Sequence, residues 1–154
     1  MKATTIVEAD LSLLQHRAAV LELSRDYARD PMGSGSDLPL AVQESLIDGL
    51  RAHPTTLILL AFDADRPVGI ATCFFGFSTF AARRLINVHD LHVRAECRGK
   101  GIGRSLLEAV EAKARALGCC KLTLEVQEKN LVAQAVYRSF GFSDGGLFRE
   151  KKLV

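Results

Sequence analysis

Apolar residues recur at helical spacing in several stretches of this chain and at strand spacing in the stretches between them. Leu11, Leu14, Ala18 and Leu21, continuing through Leu23 to Tyr27, follow a helical period, and Leu40 to Leu50 repeats it with Pro54 beyond its end. These stretches predict two N-terminal helices, separated by a loop at Asp30-Pro31-Met32-Gly33-Ser34-Gly35-Ser36. Thr56 to Phe62 and Val68 to Phe75 are apolar and rich in β-branched or aromatic residues, and the polar turn Asp63 to Pro67 joins them as a hairpin. Leu85 to Val93 is a third strand. Farther on, Ile102, Leu106, Leu107, Val110, Ala114 and Leu117 form an apolar helical stripe, with Glu108, Glu111, Lys113 and Arg115 outside it and Gly118 as the C-terminal stop. Leu122, Leu124 and Val126 alternate with polar neighbours as a strand, and Asn130 can cap a last helix ending near Phe140-Gly141. The order is strand, two helices, antiparallel strands, then strand, helix, strand, helix, which predicts an α/β sandwich with a mixed sheet.

Composition narrows the class. A length of 154 residues suits one domain over residues 1–154, and 48% hydrophobic with 25% charged content is that of a globular chain. No apolar run approaches the ~20 residues of a membrane span, and no signal-peptide pattern is visible, so a cytoplasmic protein without a membrane partner is expected. A net charge of +2 is too small to argue for nucleic acid. Cys73, Cys97, Cys119 and Cys120 show no metal-like repeat and are expected as reduced thiols.

The candidate chemistry lies in Arg98-Gly99-Lys100-Gly101-Ile102-Gly103-Arg104, which follows a strand and opens a helix. Alternate glycines allow the backbone dihedrals by which several N–H groups converge on one anion. The helix start behind them adds unsatisfied donors and the positive end of its dipole. Arg98, Lys100 and Arg104 add mobile positive charge, and the segment reads as a pyrophosphate cradle. A kinase-type phosphate loop needs Ser or Thr after its Lys, where this chain has Gly101. A dinucleotide fold needs a further glycine at Arg104 and an acid closing the next strand, whereas Glu125 sits in mid-strand. On the final helix, Asn130, Ala133 and Tyr137 occupy adjoining parts of one surface.

The segment Val88 to Phe142 resembles the GNAT superfamily of acyl-CoA-dependent N-acyltransferases. Its signature of Gln or Arg, two residues, Gly, one residue, then Gly or Ala is matched by Arg98 to Gly103. Its second element is met by Asn130, Tyr137 and Phe140-Gly141-Phe142, and the stretch around His89-Asp90-Leu91 is similar to small-amine and diamine acetyltransferases. The resemblance implies a mostly antiparallel central sheet with helices on both faces, acetyl-CoA as acyl donor, and direct attack by a primary amine in a ternary complex. It further implies that Leu91, His92 and Val93 hold the pantetheine arm as if it were an added strand. Arg98, Gly99, Lys100, Gly101, Ile102, Gly103 and Arg104 then hold the pyrophosphate, with Asn130, Ala133 and Tyr137 also at the cofactor. A homodimer is common among such proteins.

The chemistry of that reaction points to further residues. An alkyl ammonium of pKa ~10.4 must lose a proton before it attacks, and a thiolate of pKa ~8.5 must gain one as it leaves. Tyr137 is the candidate acid. The base is open among His89, Asp90 and Glu125. Strand alternation sends His89 and Asp90 to opposite faces unless a bulge intervenes, and the odd separation of His89 and His92 argues against a shared metal, so none is expected. The acceptor, a small-molecule or peptide amine, is expected against the N-terminal helices and Phe74 to Arg84. There Phe75, Phe77 and Phe80 serve as core or pocket wall, and Glu22, Asp26, Asp37 and Glu125 are candidate attractors for a cation. A CoA-binding module without turnover and a nicotinamide-dinucleotide enzyme are the competing readings.

Overall fold

The computed structural model describes Ala3 to Val154. Among these residues the chain forms two compact units, one ending at Leu124 and the other running from Glu125 to Val154. The first contains β1 (Thr5–Glu8), α1 (Leu14–Arg29), α2 (Leu40–Ala52), β2 (Thr56–Asp63), β3 (Arg66–Ser78), β4 (Arg83–Val93), α3 (Ile102–Ala116) and β5 (Leu122–Leu124). The second contains α4 (Leu131–Phe140). The strands form one sheet in chain order, with β1 to β4 antiparallel and β5 parallel to β4. This is the mixed, mostly antiparallel sheet that the strand pattern and the resemblance predict.

Alternation along the strands builds two cores. Ile58, Leu60, Phe62 and Ile70 pack against Ala19, Val20 and Leu23 of α1, with Ile47 and Leu50 of α2 behind them. Leu23 and Leu60 are fully buried, each contributing about 1.5–3 kcal/mol by removal from water. On the opposite face lies α3, whose Ile102, Leu106, Leu107, Val110 and Ala114 are buried. Gly69 permits that approach: a Cβ there would stand 3.2 Å from Ile102 Cγ2, Leu106 Cδ1 and the His92 carbonyl oxygen. The predicted stop at Gly118 takes a left-handed φ of 69°. Gly118 N–H donates to Arg115 O and Cys119 N–H to Ala114 O, closing the last turn.

Two local expectations are corrected, and the loop after α1 is better anchored than its glycines and serines suggest. The β2–β3 turn is only Ala64-Asp65, because Asp63 pairs with Arg66, and Pro67, which has no N–H, sits beside a register shift that tolerates the loss. The strand at Leu122 ends at Leu124 without reaching Val126. The Asp30–Ser36 loop is held down: Gly33 N–H donates to Asp30 O at 2.8 Å and Ser34 Oγ to Ala28 O at 3.1 Å. A Cβ on Gly33 would stand 2.1 Å from the Tyr27 carbonyl oxygen, a clash with backbone that no rotamer relieves. Gly33→Ala is therefore expected to cost about 1–3 kcal/mol, read as a lower thermal midpoint; an unchanged midpoint would show the loop to be freely adjustable.

Candidate active site

The centre of the site is a bulge in β4. Val88 pairs with Cys73 and Asp90 with Thr72, so His89 is an extra residue opposite no partner on β3. Before the bulge, Asn87 shares a face with its partner Phe74, and the His89 ring stays on that face, 5.5 Å from the Phe74 ring in an edge contact. Beyond the bulge, the parity reverses. Asp90 and His92 now point to the same side, where His92 Nε2 meets Asp26 Oδ2 of α1 at 2.7 Å. His89 and Asp90 therefore share the α1 face of the sheet, which corrects the alternation expectation. Parity no longer separates His89 from His92 either, although among the described residues no three His, Cys, Asp or Glu side chains group as a metal set.

The bulge also opens an edge. The β4–β5 ladder runs from Ile86 with Leu122 to Val88 with Leu124 and stops just before His89. Arg94 N–H donates to Val68 O on the β3 side at 3.0 Å, so alternation turns the N–H and C=O groups of Val93 and Leu91 toward the other edge. Arg98 Nε donates to Val93 O at 2.9 Å from that side. Among the described residues no strand pairs with this edge from His89 onward.

The open edge runs into the glycine segment. Gly99 and Gly101 have φ of 74° and 79°, a region closed to most side chains. Gly103, by contrast, is inside α3, and a Cβ there would be only 3.7 Å from Val93 Cγ2, an ordinary contact. The first helical hydrogen bond runs from Ser105 N–H to Gly101 O at 2.9 Å, and no side chain caps the end. The amides of Ile102 and Gly103 thus have no carbonyl one turn earlier to bond within the helix. The basic side chains each have a partner within the chain. Arg98 Nη2 reaches Asp30 Oδ2 at 2.5 Å, Arg104 Nε reaches Glu108 at 3.1 Å, and Lys100 Nζ lies 3.4 Å from Glu96 O.

Acidic residues on α1 and at its C-terminal cap recur every fourth position and meet β4 and its following loop. Glu22 meets Arg94, Asp26 meets His92, and Asp30 meets Arg98. With the pairing of Asp37 with Arg25 and Arg29, Glu22, Asp26 and Asp37 all have partners within the chain. The Arg25 hydrogen bond holds the Asp37 carboxyl at about 2. Asp90 behaves oppositely: burial raises its pKa, with His89 and His92 opposing the rise only in part. Tyr27, half-buried with its ring 5.2 Å from His92, is raised by burial and by the charges of Asp90 and Asp30. Burial and Asp90 push the Cys73 thiol up to about 12, which disqualifies it as a nucleophile at neutral pH. Phe77 and Phe80 are exposed, so neither is core, while Arg84 lies 5.0 Å over the Phe75 ring. The partners of Asp26 and Asp30 are not legible in the sequence, although the four-residue spacing of these acids is.

In the second unit, Asn130 Oδ1 accepts from Ala133 N–H at 3.1 Å and so starts α4. Gly141, with φ of 108°, ends it: Gly141 N–H donates to Arg138 O and Phe142 N–H to Tyr137 O. The turn brings the Phe142 ring to 5.8 Å from that of Tyr137.

A family model described as the acetyltransferase (GNAT) family matches residues 19–142. The chain belongs to this family. The GNAT chain is 28% identical over 127 residues to the uncharacterized N-acetyltransferase YhfO of Bacillus subtilis, covering 82% of this chain and 83% of that protein. It is 35% identical over 77 residues to the thialysine N-epsilon-acetyltransferase of Bos taurus, covering 50% of this chain and 45% of the bovine enzyme, so the match spans less than half of that relative. A crystal structure of a probable acetyltransferase superposes with a TM-score of 0.80 at 26% identity, covering 97% of each chain. The GNAT fold and the mixed sheet described above therefore agree.

Proposed function

We propose that this GNAT chain, as a single domain over residues 1–154, transfers the acetyl group of acetyl-CoA to a primary amine of a small molecule or peptide. The observation that carries this reading is the β4 edge at Leu91 and Val93, which no described strand covers, followed by an uncapped, glycine-shaped helix start. An extended amide-bearing arm ending in a diphosphate fits that edge and those donors in sequence. Gly99, Gly101, Ile102 and Gly103 supply the backbone at the diphosphate, with Lys100 and Arg104 beside it.

The bound donor supplies an activated thioester. Asp90, whose burial makes it a stronger base than an exposed carboxylate, takes the proton from the acceptor ammonium. His89 lies on the same face but is exposed, and is assigned to contact with the acceptor. The Leu91 amide faces the edge where the thioester carbonyl would lie and would stabilise its developing negative oxygen. The amine attacks the thioester directly, and Cys73, fully buried, takes no part. Tyr137 is the proposed donor of a proton to the leaving thiolate.

The test is thiol release from acetyl-CoA across a panel of amines, beginning with side-chain amines of the kind for which the bovine relative is named. Turnover with at least one amine is expected. Absence of CoA binding by calorimetry would overturn the reading, and binding without turnover on any amine would favour a CoA-binding module. Tyr137→Phe is expected to lower kcat by about 10–10²-fold with acetyl-CoA affinity nearly intact; unchanged kcat would remove the tyrosine from the chemistry.

A further inference from the structure

We infer that Asp30, at the C-terminal end of α1, is a positioning residue for the diphosphate loop and acts through Arg98; the inference rests on the CoA reading above. Every hydrogen-bonding group of Asp30 has a partner, its carbonyl oxygen accepting from Gly33 N–H. Its N–H donates to Asp26 O and Tyr27 O, its Oδ1 accepts from Met32 N–H at 2.9 Å, and its Oδ2 accepts from Arg98 Nη2 at 2.5 Å. The carboxylate is only 11% exposed.

Arg98 in turn reaches Val93 O with Nε. One planar guanidinium thus ties the end of α1 to the end of β4, at the residue immediately before the left-handed Gly99. The rigid fork of arginine makes this a strut of fixed length, where a lysine ammonium would be a point charge able to satisfy one end at a time. The same ridge continues as Asp26 with His92 and Glu22 with Arg94, so α1 lies along β4 through three successive pairs. The loop amides from Gly99 to Gly103 then owe their direction to a carboxylate bonded to Met32 N–H and Arg98.

The alternative role for Arg98 is that of an anion-binding charge, and the two roles predict opposite signs. If Arg98 mainly attracts diphosphate, Asp30 competes with the ligand, and its removal tightens binding. If Arg98 is a strut, removal of Asp30 weakens binding. Calorimetric titration of the full chain with CoA, for wild type, Asp30→Asn, Arg98→Lys and the double variant, decides between them. The expected result is about tenfold weaker binding for Asp30→Asn, the equivalent of one lost charge-assisted hydrogen bond. Arg98→Lys should lose a similar factor although its charge is kept, and the double variant should be little worse than either single one. In turnover the loss should fall on KM for acetyl-CoA more than on kcat. Unchanged or tighter CoA binding by Asp30→Asn, or wild-type affinity in Arg98→Lys, overturns the inference while leaving the CoA reading intact. Failure of the wild-type chain to bind CoA overturns both. Should Asp30→Asn prove unfolded, wild-type CoA affinity in Arg98→Lys still overturns the inference.

Discussion

Asp90→Asn is expected to lower kcat by about 10²–10⁴-fold, the range for loss of a general base, and at the same time to make the protein more stable at neutral pH. The two effects have one cause. Burial penalises the ionised carboxylate, so the folded-state pKa of Asp90 lies above 3.8, its ordinary value. A folded protein that binds this proton more tightly than the unfolded chain gains stability below pH 3.8, and loses that gain as pH rises through the raised folded value. At neutral pH the charge is therefore a cost of folding that a neutral, isosteric Asn removes. A residue kept at such a cost beside two histidines and an open strand edge is typical of a catalytic group. The wild-type profile of kcat/KM should show an acid limb with a midpoint above 3.8, and the variant should lose that limb. Stability is read from thermal or denaturant midpoints at pH 7. A variant with undiminished kcat would remove Asp90 from the chemistry, and a lower midpoint at neutral pH would show its charge to be structurally favourable.

Much of the first unit was legible in the chain because its elements are strongly periodic. The α3 stripe, its Gly118 stop and the strands at Thr56 and Val68 follow from local spacing and turn chemistry, and the structure reproduces them except for Leu117, which caps α3 and is exposed. The extension of β3 to Ser78 and of β4 back to Arg83 was not legible, since those ends are polar and join the sheet only by pairing with each other. The bulge at His89 was equally hidden. A bulge is a count of residues on two strands at once, and no pattern along β4 alone reveals that Cys73 and Thr72 bracket one residue too many. Its effects, the shared face of His89 and Asp90 and the open edge beyond Val88, are what turn a list of candidate side chains into a site. The ridge of Glu22, Asp26 and Asp30 was written in the sequence as a spacing, but its partners lie about seventy positions away, at His92, Arg94 and Arg98. Spacing shows that a helix face is acidic. Only the fold shows that this face is spoken for.

Gly101→Val is expected to weaken CoA binding by about 10²–10⁴-fold, the equivalent of two lost hydrogen bonds to a charged group at about 1.5–3 kcal/mol each. Gly101 holds a φ of 79° and a ψ of 6° as the residue preceding α3, and nothing lies within 4 Å of where its Cβ would be. Space is therefore no obstacle; the dihedral is. Alanine would test this weakly, because Ala64 and Ala82 already adopt φ of 54° and 50° in this chain. A β-branched valine is far less tolerant of that region, and the backbone must rotate to relieve it. Rotation at this position turns the amides of Ile102 and Gly103 away from a common point while leaving the buried stripe of α3 in place. The thermal midpoint should then fall modestly, and affinity steeply. Gly103→Ala is the control: its Cβ meets only Val93 Cγ2 at 3.7 Å, its amide keeps its direction, and CoA affinity should stay within about twofold of wild type on the same physical ground. If Gly101→Val retained wild-type affinity, converging main-chain donors would not be what holds the diphosphate. Equal losses in the two variants would instead assign the effect to crowding along the edge of β4.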